Sequence, residues 1–436
     1  MNQLTVKTAR SLQGTINVPG DKSISHRLLL LGAIARGLSR ATGFLPAADC
    51  LSTLDCLAQM GVHVERPDET TVLIQGRGLR GLTEPAEVLD CGNSGTTMRL
   101  LAGLLAGQGF YAVLTGDASL RRRPMARIAE PLRRMGATVL GRQGGSLPPL
   151  TILGGNLQGI EYTPPVASAQ VKSCLLLAAL YAAGPTTIHE PVPSRDHTER
   201  MLLAQGATIS LPAANPAGGA AITLQPQTHP LEPLNIAIPG DISSAAFFLV
   251  AASIVPGAWL RIQGVGTNST RTGILDVLAD MGGSVVVENE RSSGGEPLAD
   301  LVIQAAPLRG VDIAGALIPR LIDELPVIAV AATQAQGVTT VREAAELRAK
   351  ESDRISALVT ELRKLGAQIA ELPDGFVVEG PSVLRGAVVD SHGDHRLAMS
   401  LAIAGLVAKG ETTILGTEAI AVSFPDFEQT LGGIVS

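Results

Sequence analysis

One phrase returns along this chain and restricts its fold more than any other feature. A helix end closing on glycine and running straight into an apolar strand recurs at Leu57…Met60-Gly61…Val64 and Leu132…Met135-Gly136-Ala137…Val139. It returns at Gly206-Ala207…Ile209, Leu278…Met281-Gly282…Val285 and Leu362…Leu365-Gly366-Ala367…Ile369, with a worn sixth copy at Leu431-Gly432-Gly433. Successive glycines lie 75, 70, 76, 84 and 66 residues apart. Glycine tolerates the left-handed conformation that ends a helix sharply, so each copy predicts a capped helix followed by a strand. Self-similarity at a fixed period marks an array of one supersecondary unit.

A second series falls between these glycines and predicts helix starts. It comprises Pro19-Gly20-Asp21-Lys22-Ser23, Gly92-Asn93-Ser94-Gly95-Thr96, Ala167-Ser168-Ala169-Gln170, Pro239-Gly240-Asp241-Ile242-Ser243, Ile322-Asp323-Glu324-Leu325-Pro326 and Gly393-Asp394-His395-Arg396. Ser, Asp and Asn suit the N-cap role. Each start leads into a small, apolar helix of the kind that is buried, such as Leu28–Ala35 or Leu397–Ala408. The units are therefore α/β, each with two helices and several strands. Units one and four open with the same Pro-Gly-Asp, which predicts a duplicated trimer of units. Domain A is expected over 19–240. Domain B is expected over 241–436 with residues 1–18, including an N-terminal strand Leu4–Val18, and a two-strand hinge near 19 and 240. If like units pack around an axis, their helix amino ends gather on one face of each domain, and two facing domains make a cleft. A helix amino end carries roughly half a positive charge and unpaired N–H donors, so that cleft invites an anionic ligand.

Composition narrows the choice. The chain has 436 residues, 45% of them hydrophobic and 17% charged, which excludes disorder. A net charge of -6 and few aromatic residues argue against nucleic acid as a partner. No apolar run reaches the roughly 20 residues that a membrane helix requires, and the start has no secretory pattern. Cys50, Cys56, Cys91 and Cys174 form no CxxC, so they read as buried structural thiols, with no metal site. A cytoplasmic, monomeric enzyme is the expectation.

The charged residues cluster at the helix starts. Lys22 and Arg27 open the first helix, with Ser23 and Arg27 four apart on one face. A cation there is unfavourable by up to about 1 kcal/mol unless an anion compensates. Asn93, Ser94, Gly95 and Thr96 form an elbow where a ligand approaches the backbone closely. Arg121, Arg122 and Arg123 precede a helix expected to start at Pro124. Ser168, Gln170 and Lys172 begin another helix, and Ser194, Arg195 and His197 sit in the matching loop. Asp323 marks a helix start in an apolar run; Lys350, Glu351 and Arg354 are placed on one helix; Asp394, His395 and Arg396 open a further one.

These motifs, above all Gly20–Arg27, Gly92–Arg99, Arg123-Pro124-Met125, Lys350–Arg354 and Gly393–Arg396, resemble those of the enolpyruvyl transferases, and among them the EPSP synthase family. The resemblance covers essentially the whole chain. It implies a two-domain inside-out α/β barrel with three βαβαββ units per domain. It implies addition of the 5-hydroxyl of shikimate 3-phosphate to C2 of phosphoenolpyruvate, with loss of phosphate from a tetrahedral intermediate and no metal or organic cofactor. By carry-over, phosphoenolpyruvate would be held by Lys22, Asn93, Gly95, Arg123, Gln170, Glu351, Arg354, His395 and Arg396. Shikimate 3-phosphate would be held by Lys22, Ser23, Arg27, Ser168, Ala169, Gln170, Ser194, Arg195, Asp323 and Lys350. Glu351 would deliver the proton to C3, and Asp323 or Lys22 would take the hydroxyl proton. Val422, Glu346 and His197 depart from the Lys, Asn and Tyr of better-known members, with Arg195 the candidate in their place. Gly95 leaves room beside the phosphoenolpyruvate position, so glyphosate is expected to compete there. Two rivals remain: a transferase acting on UDP-N-acetylglucosamine, which carries a Cys before Arg-Pro where Asp117–Arg123 has none, and a non-catalytic anion-binding protein of the same fold.

Overall fold

The computed structural model describes residues 2–211 and 219–435. They divide into two compact units. A central unit contains Gly20–Ile238 with Ser292–Glu296, and a terminal unit contains Met1–Pro19, Pro239–Arg291 and Pro297–Ser436. Each has its own apolar core.

Each unit holds three small mixed sheets. The sheet of the second repeat runs Leu89–Asp90, Tyr111–Thr115, Leu147–Leu153, Thr138–Gly141, with the first pair parallel and the others antiparallel. Its strands alternate: Ala112 and Leu114 are buried, whereas Tyr111 is exposed, so one face is wet. The leading helices are instead buried on all sides: Ile242–Ile254 has no exposed residue. Helices inside and sheets outside is the inverted layering that the resemblance implies. In the terminal unit the helices Ile242–Ile254, Leu325–Gln334 and His395–Val407 pack against one another. In the central unit Gly95–Ala106 packs between Lys22–Ile34 and Ala169–Ala179. The last contact needs a bare glycine, because a Cβ on Gly103 would lie 2.0 Å from the Cys174 carbonyl oxygen.

The helix signals read from sequence hold at most copies. Gly61, Gly136, Gly206, Gly282 and Gly366 all have positive φ, between 82 and 106°. The sixth copy differs: Gly432 ends the helix Phe427–Gly432 and Gly433 has φ -73°. Among the described residues an isolated antiparallel bridge, Val435 to Leu12, follows it in place of a strand. The adjoining position is filled by Gln3–Lys7, antiparallel to Glu411–Leu415, and this sheet has three strands. Five leading helices are capped by a side chain, with Asp21, Ser94, Ser168, Asp241 and Asp394 each accepting a backbone N–H. The start near Ile322 has no such bond; that helix begins at Leu325, with Pro326 in its first turn.

The expected strand Leu4–Val18 is two strands in two sheets. Gln3–Lys7 belongs to the sheet just described, and Gln13–Ile16 pairs parallel with Trp259–Gly266. Between them the Ala9 amide donates to Leu406, which turns the chain. Gln13–Ile16 leads into the helix Lys22–Ile34 yet pairs in the terminal unit. Asn235–Ala237 leads into Ile242–Ile254 yet pairs with Arg36–Thr42 in the central unit. Each unit is thus closed by a strand whose following helix belongs to the other.

Candidate active site

In the central unit the cationic residues stand at the amino ends of the leading helices. Lys22 is the first residue of its helix, and its Nζ lies 3.1 Å from Asp49 Oδ2. Arg27, one turn on, is buried; Nε donates to Thr198 Oγ1 and Nη2 to Ser173 Oγ, both at 2.7 Å. Burial first, and then the neighbouring positive charge of Arg195, bring Arg27 down to about 10, against the pull of Glu199, Asp21 and Glu296. Two guanidinium groups close enough to disturb one another are a natural seat for an anion.

The second and third helix starts meet around Gly95. Arg99 Nη1 donates to Gln170 Oε1, Gln170 Nε2 donates to Thr96 Oγ1 at 2.9 Å, and Arg123 Nη2 donates to Asn93 Oδ1 at 2.7 Å. A Cβ on Gly95 would sit 2.9 Å from Arg99 Nη1 and 3.4 Å from Arg123 Nη1. Asn93, Gly95, Arg123 and Gln170 therefore form one group, and Arg99 belongs to it. Arg99 lies four residues after Gly95, on the same helical face, and that spacing is the signal by which the sequence announces it. Ser23, Ala169 and Ser168 sit in first turns or at the cap, all partly accessible.

The terminal unit gathers a second group around Arg354, which is 1% exposed. Its Nε donates to Asp394 Oδ2 at 2.7 Å, Nη1 to Asp323 Oδ1 at 3.3 Å, and Nη2 to Glu351 Oε2 at 2.6 Å. Burial alone would lower its proton affinity, but Asp394, Glu351 and Asp323 hold it well above the ordinary arginine range. Lys350 Nζ lies 3.3 Å from Asp323 Oδ1, and Arg396 Nη1 donates to the Asp323 carbonyl at 3.1 Å. His395 and Arg396 open their helix behind Asp394. Asp323, Lys350, Glu351, Arg354 and Arg396 are thus one constellation of alternating charge.

Several local expectations need correction. Lys350 and Glu351 are not helical; they form the loop between the 3-10 turn Ala345–Ala349 and the helix Arg354–Lys364, because Asp353 caps that helix through the Ser356 amide. The loop lets Glu351 fold back onto Arg354. The arginine-rich segment makes a 3-10 turn, Leu120–Arg122, and the helix starts at Ala126 rather than Pro124: its first i+4 bond runs from the Ala129 amide to the Met125 carbonyl, while the Met125 amide donates to the Ser146 carbonyl. His197 is not in the loop but opens the helix His197–Ala204, where Nδ1 lies 2.8 Å from buried Glu296 Oε1. All four cysteines are buried and none is in a disulfide.

Inverted α/β units with helix-start cations define an enolpyruvyl transferase architecture. The solved enolpyruvyl transferase NikO from Streptomyces tendae matches at TM-score 0.79 over 99% of this chain and 97% of that one; at 18% identity it speaks for the fold alone. The EPSP synthase from Acinetobacter baumannii matches at TM-score 0.87 with 45% identity, over 99% of this chain and 98% of that one. The family model for EPSP synthase (3-phosphoshikimate 1-carboxyvinyltransferase) matches residues 6–431. Proteins named 3-phosphoshikimate 1-carboxyvinyltransferase are 55% identical in Desulforudis audaxviator, over 99% of both chains, and 54% identical in Geobacter sp. strain M21, over 100% of both. The chain belongs to the EPSP synthase family.

Proposed function

We propose that the chain transfers the enolpyruvyl group of phosphoenolpyruvate to the 5-hydroxyl of shikimate 3-phosphate, through a tetrahedral intermediate that loses phosphate. Both substrates carry a phosphate and a carboxylate, so an acidic chain needs local clusters of cations. Lys22, Arg123, Gln170, Arg354 and Arg396 hold phosphoenolpyruvate, with Asn93, Gly95, Glu351 and His395 around it. Ser23, Arg27, Ser168, Ala169, Ser194, Arg195, Asp323 and Lys350 hold shikimate 3-phosphate, and Lys22 and Gln170 touch it too.

The observation that carries this reading is the pair of carboxylates on one buried guanidinium, Glu351 at 2.6 Å and Asp323 at 3.3 Å from Arg354. Anion binding by itself calls for cations; an enol addition also needs one group to give a proton and another to take one, and two carboxylates can divide those roles. Glu351 delivers the proton to C3, and Asp323, or Lys22, takes the hydroxyl proton. For Glu351 to act as an acid, the substrate anions must draw Arg354 away from its carboxylate.

The test is phosphate release from shikimate 3-phosphate and phosphoenolpyruvate, without added metal. Turnover is expected, and none when UDP-N-acetylglucosamine replaces shikimate 3-phosphate. Glu351→Gln should lower kcat by about a thousandfold and leave binding of shikimate 3-phosphate within twofold. Unchanged kcat would remove its acid role. No helix among the described residues is long and apolar enough to cross a membrane. We also propose a cytoplasmic monomer. The buried thiols suit a reducing compartment, and a sedimentation mass near twice 45.0 kDa would overturn the monomer.

A further inference from the structure

The central unit contains a buried ion network that the reaction above does not use. Lys172, in the helix Ala169–Ala179, is 1% exposed. Its ammonium has three protons and three acceptors: Glu199 Oε1 at 2.7 Å, Glu190 Oε2 at 2.8 Å and the Ser194 carbonyl at 3.1 Å. The other oxygen of Glu190 accepts the Ser194 hydroxyl. Glu190 ends the strand Thr186–Glu190, and Pro191 and Pro193 stiffen the stretch that follows it. Ser194 is therefore gripped twice, by backbone and by side chain, from the buried side.

That grip orients the next peptide. In a trans peptide the carbonyl and the following N–H point in opposite directions. With the Ser194 carbonyl turned to Lys172, the Arg195 N–H is aimed away from the buried ammonium. The same ion set steadies Arg27: its partners Ser173 and Thr198 directly follow Lys172 and directly precede Glu199.

We propose that Lys172 and Glu190 are positioning residues that set the Ser194–Arg195 peptide for the phosphate of shikimate 3-phosphate. This rests on the reading that Ser194 and Arg195 meet that substrate. A serine has one hydroxyl proton, and here it goes to Glu190. Ser194 thus contributes a fixed position, held by Glu190, rather than a ready donor to the arriving phosphate.

The experiment compares Glu190→Gln, Ser194→Ala and the double variant in steady-state assays that vary each substrate in turn. Circular dichroism confirms folding. Glu190→Gln should raise KM for shikimate 3-phosphate about tenfold, with KM for phosphoenolpyruvate and kcat within about twofold. The double variant should be no worse than the poorer single one, because both act through the same loop. If Ser194→Ala weakens shikimate 3-phosphate but folded Glu190→Gln does not, the positioning role is overturned while the site assignment stands. Multiplying effects in the double variant also overturn it. If Ser194→Ala changes nothing, the assignment of Ser194 fails, and the inference with it. A merely structural network would lower active protein, and so apparent kcat, for both substrates alike. Lys172→Met provides a second measurement: if it folds, it should show the same substrate-specific rise, and a uniform loss of kcat alone would count against the proposal.

Discussion

Asp394→Asn is a small change that should have a large effect. Asp394 is fully buried and does two jobs. Its Oδ1 accepts the Arg396 amide at 2.9 Å and so caps the helix His395–Val407; its Oδ2 takes Arg354 Nε at 2.7 Å and Ser352 Oγ at 3.2 Å. Asparagine has only one acceptor oxygen. If that oxygen keeps the cap, the new NH2 faces the Arg354 Nε–H, donor against donor. If the amide flips, the cap is lost, at about 1 kcal/mol, and NH2 faces the Arg396 amide. In either orientation a buried guanidinium loses one of three carboxylate partners. Breaking a buried ion pair costs about 3–5 kcal/mol, so the low end, about 3 kcal/mol, is expected because Asp323 and Glu351 remain. Asp353→Asn is the control. Asp353 caps the neighbouring helix but is exposed, and Asn caps as well as Asp, so its loss should stay near about 0.5 kcal/mol. Urea unfolding read by fluorescence suits both, since the single tryptophan, Trp259, lies in the same unit. Equal losses at the two positions would refute the view that buried charge, rather than capping, decides.

Gly95→Ala places a methyl 2.9 Å from Arg99 Nη1, so the guanidinium must move off Gln170; KM for phosphoenolpyruvate should rise about tenfold with folding intact, and an unchanged KM would separate Gly95 from that substrate. His26 is buried against Thr53, and burial, then Lys22 and Arg27, hold its proton affinity well below 6.5. Its native state stays neutral while the unfolded chain protonates below about pH 6.5, so stability should fall by up to about 1.4 kcal/mol per pH unit on acidification from there. His26→Gln should flatten that slope, and parallel pH–stability curves for the two proteins would show that another group sets it.

Much of this was legible in the sequence because it is local. The glycines after Met60, Met135 and Met281 have left-handed φ in the structure, and Asp21, Ser94, Ser168, Asp241 and Asp394 cap the helices they precede. A cap and a reversal involve residues within four positions of each other, so spacing suffices to find them. Glu351 marks the limit of such local patterns: its charge spacing suits a helix, yet its partner Arg354 starts the helix that Asp353 caps. Asp49 beside Lys22, and Glu190 and Glu199 on Lys172, left no local mark, since the partners come from other helices and strands.

The order of the letters alone determined the sixfold unit, its capped helices and the family to which the chain belongs, since these depend on short-range geometry and on motifs written contiguously. Tertiary structure decided which charges meet: that Arg354 collects three carboxylates from separate segments, that Gly103 exists to admit the Cys174 backbone, and that the N-terminal strand fills the place beside the last repeat's sheet. Burial is the physical reason. A charge or a methyl removed from water must find a partner of matching shape, and the chain supplies it from wherever packing brings two surfaces together.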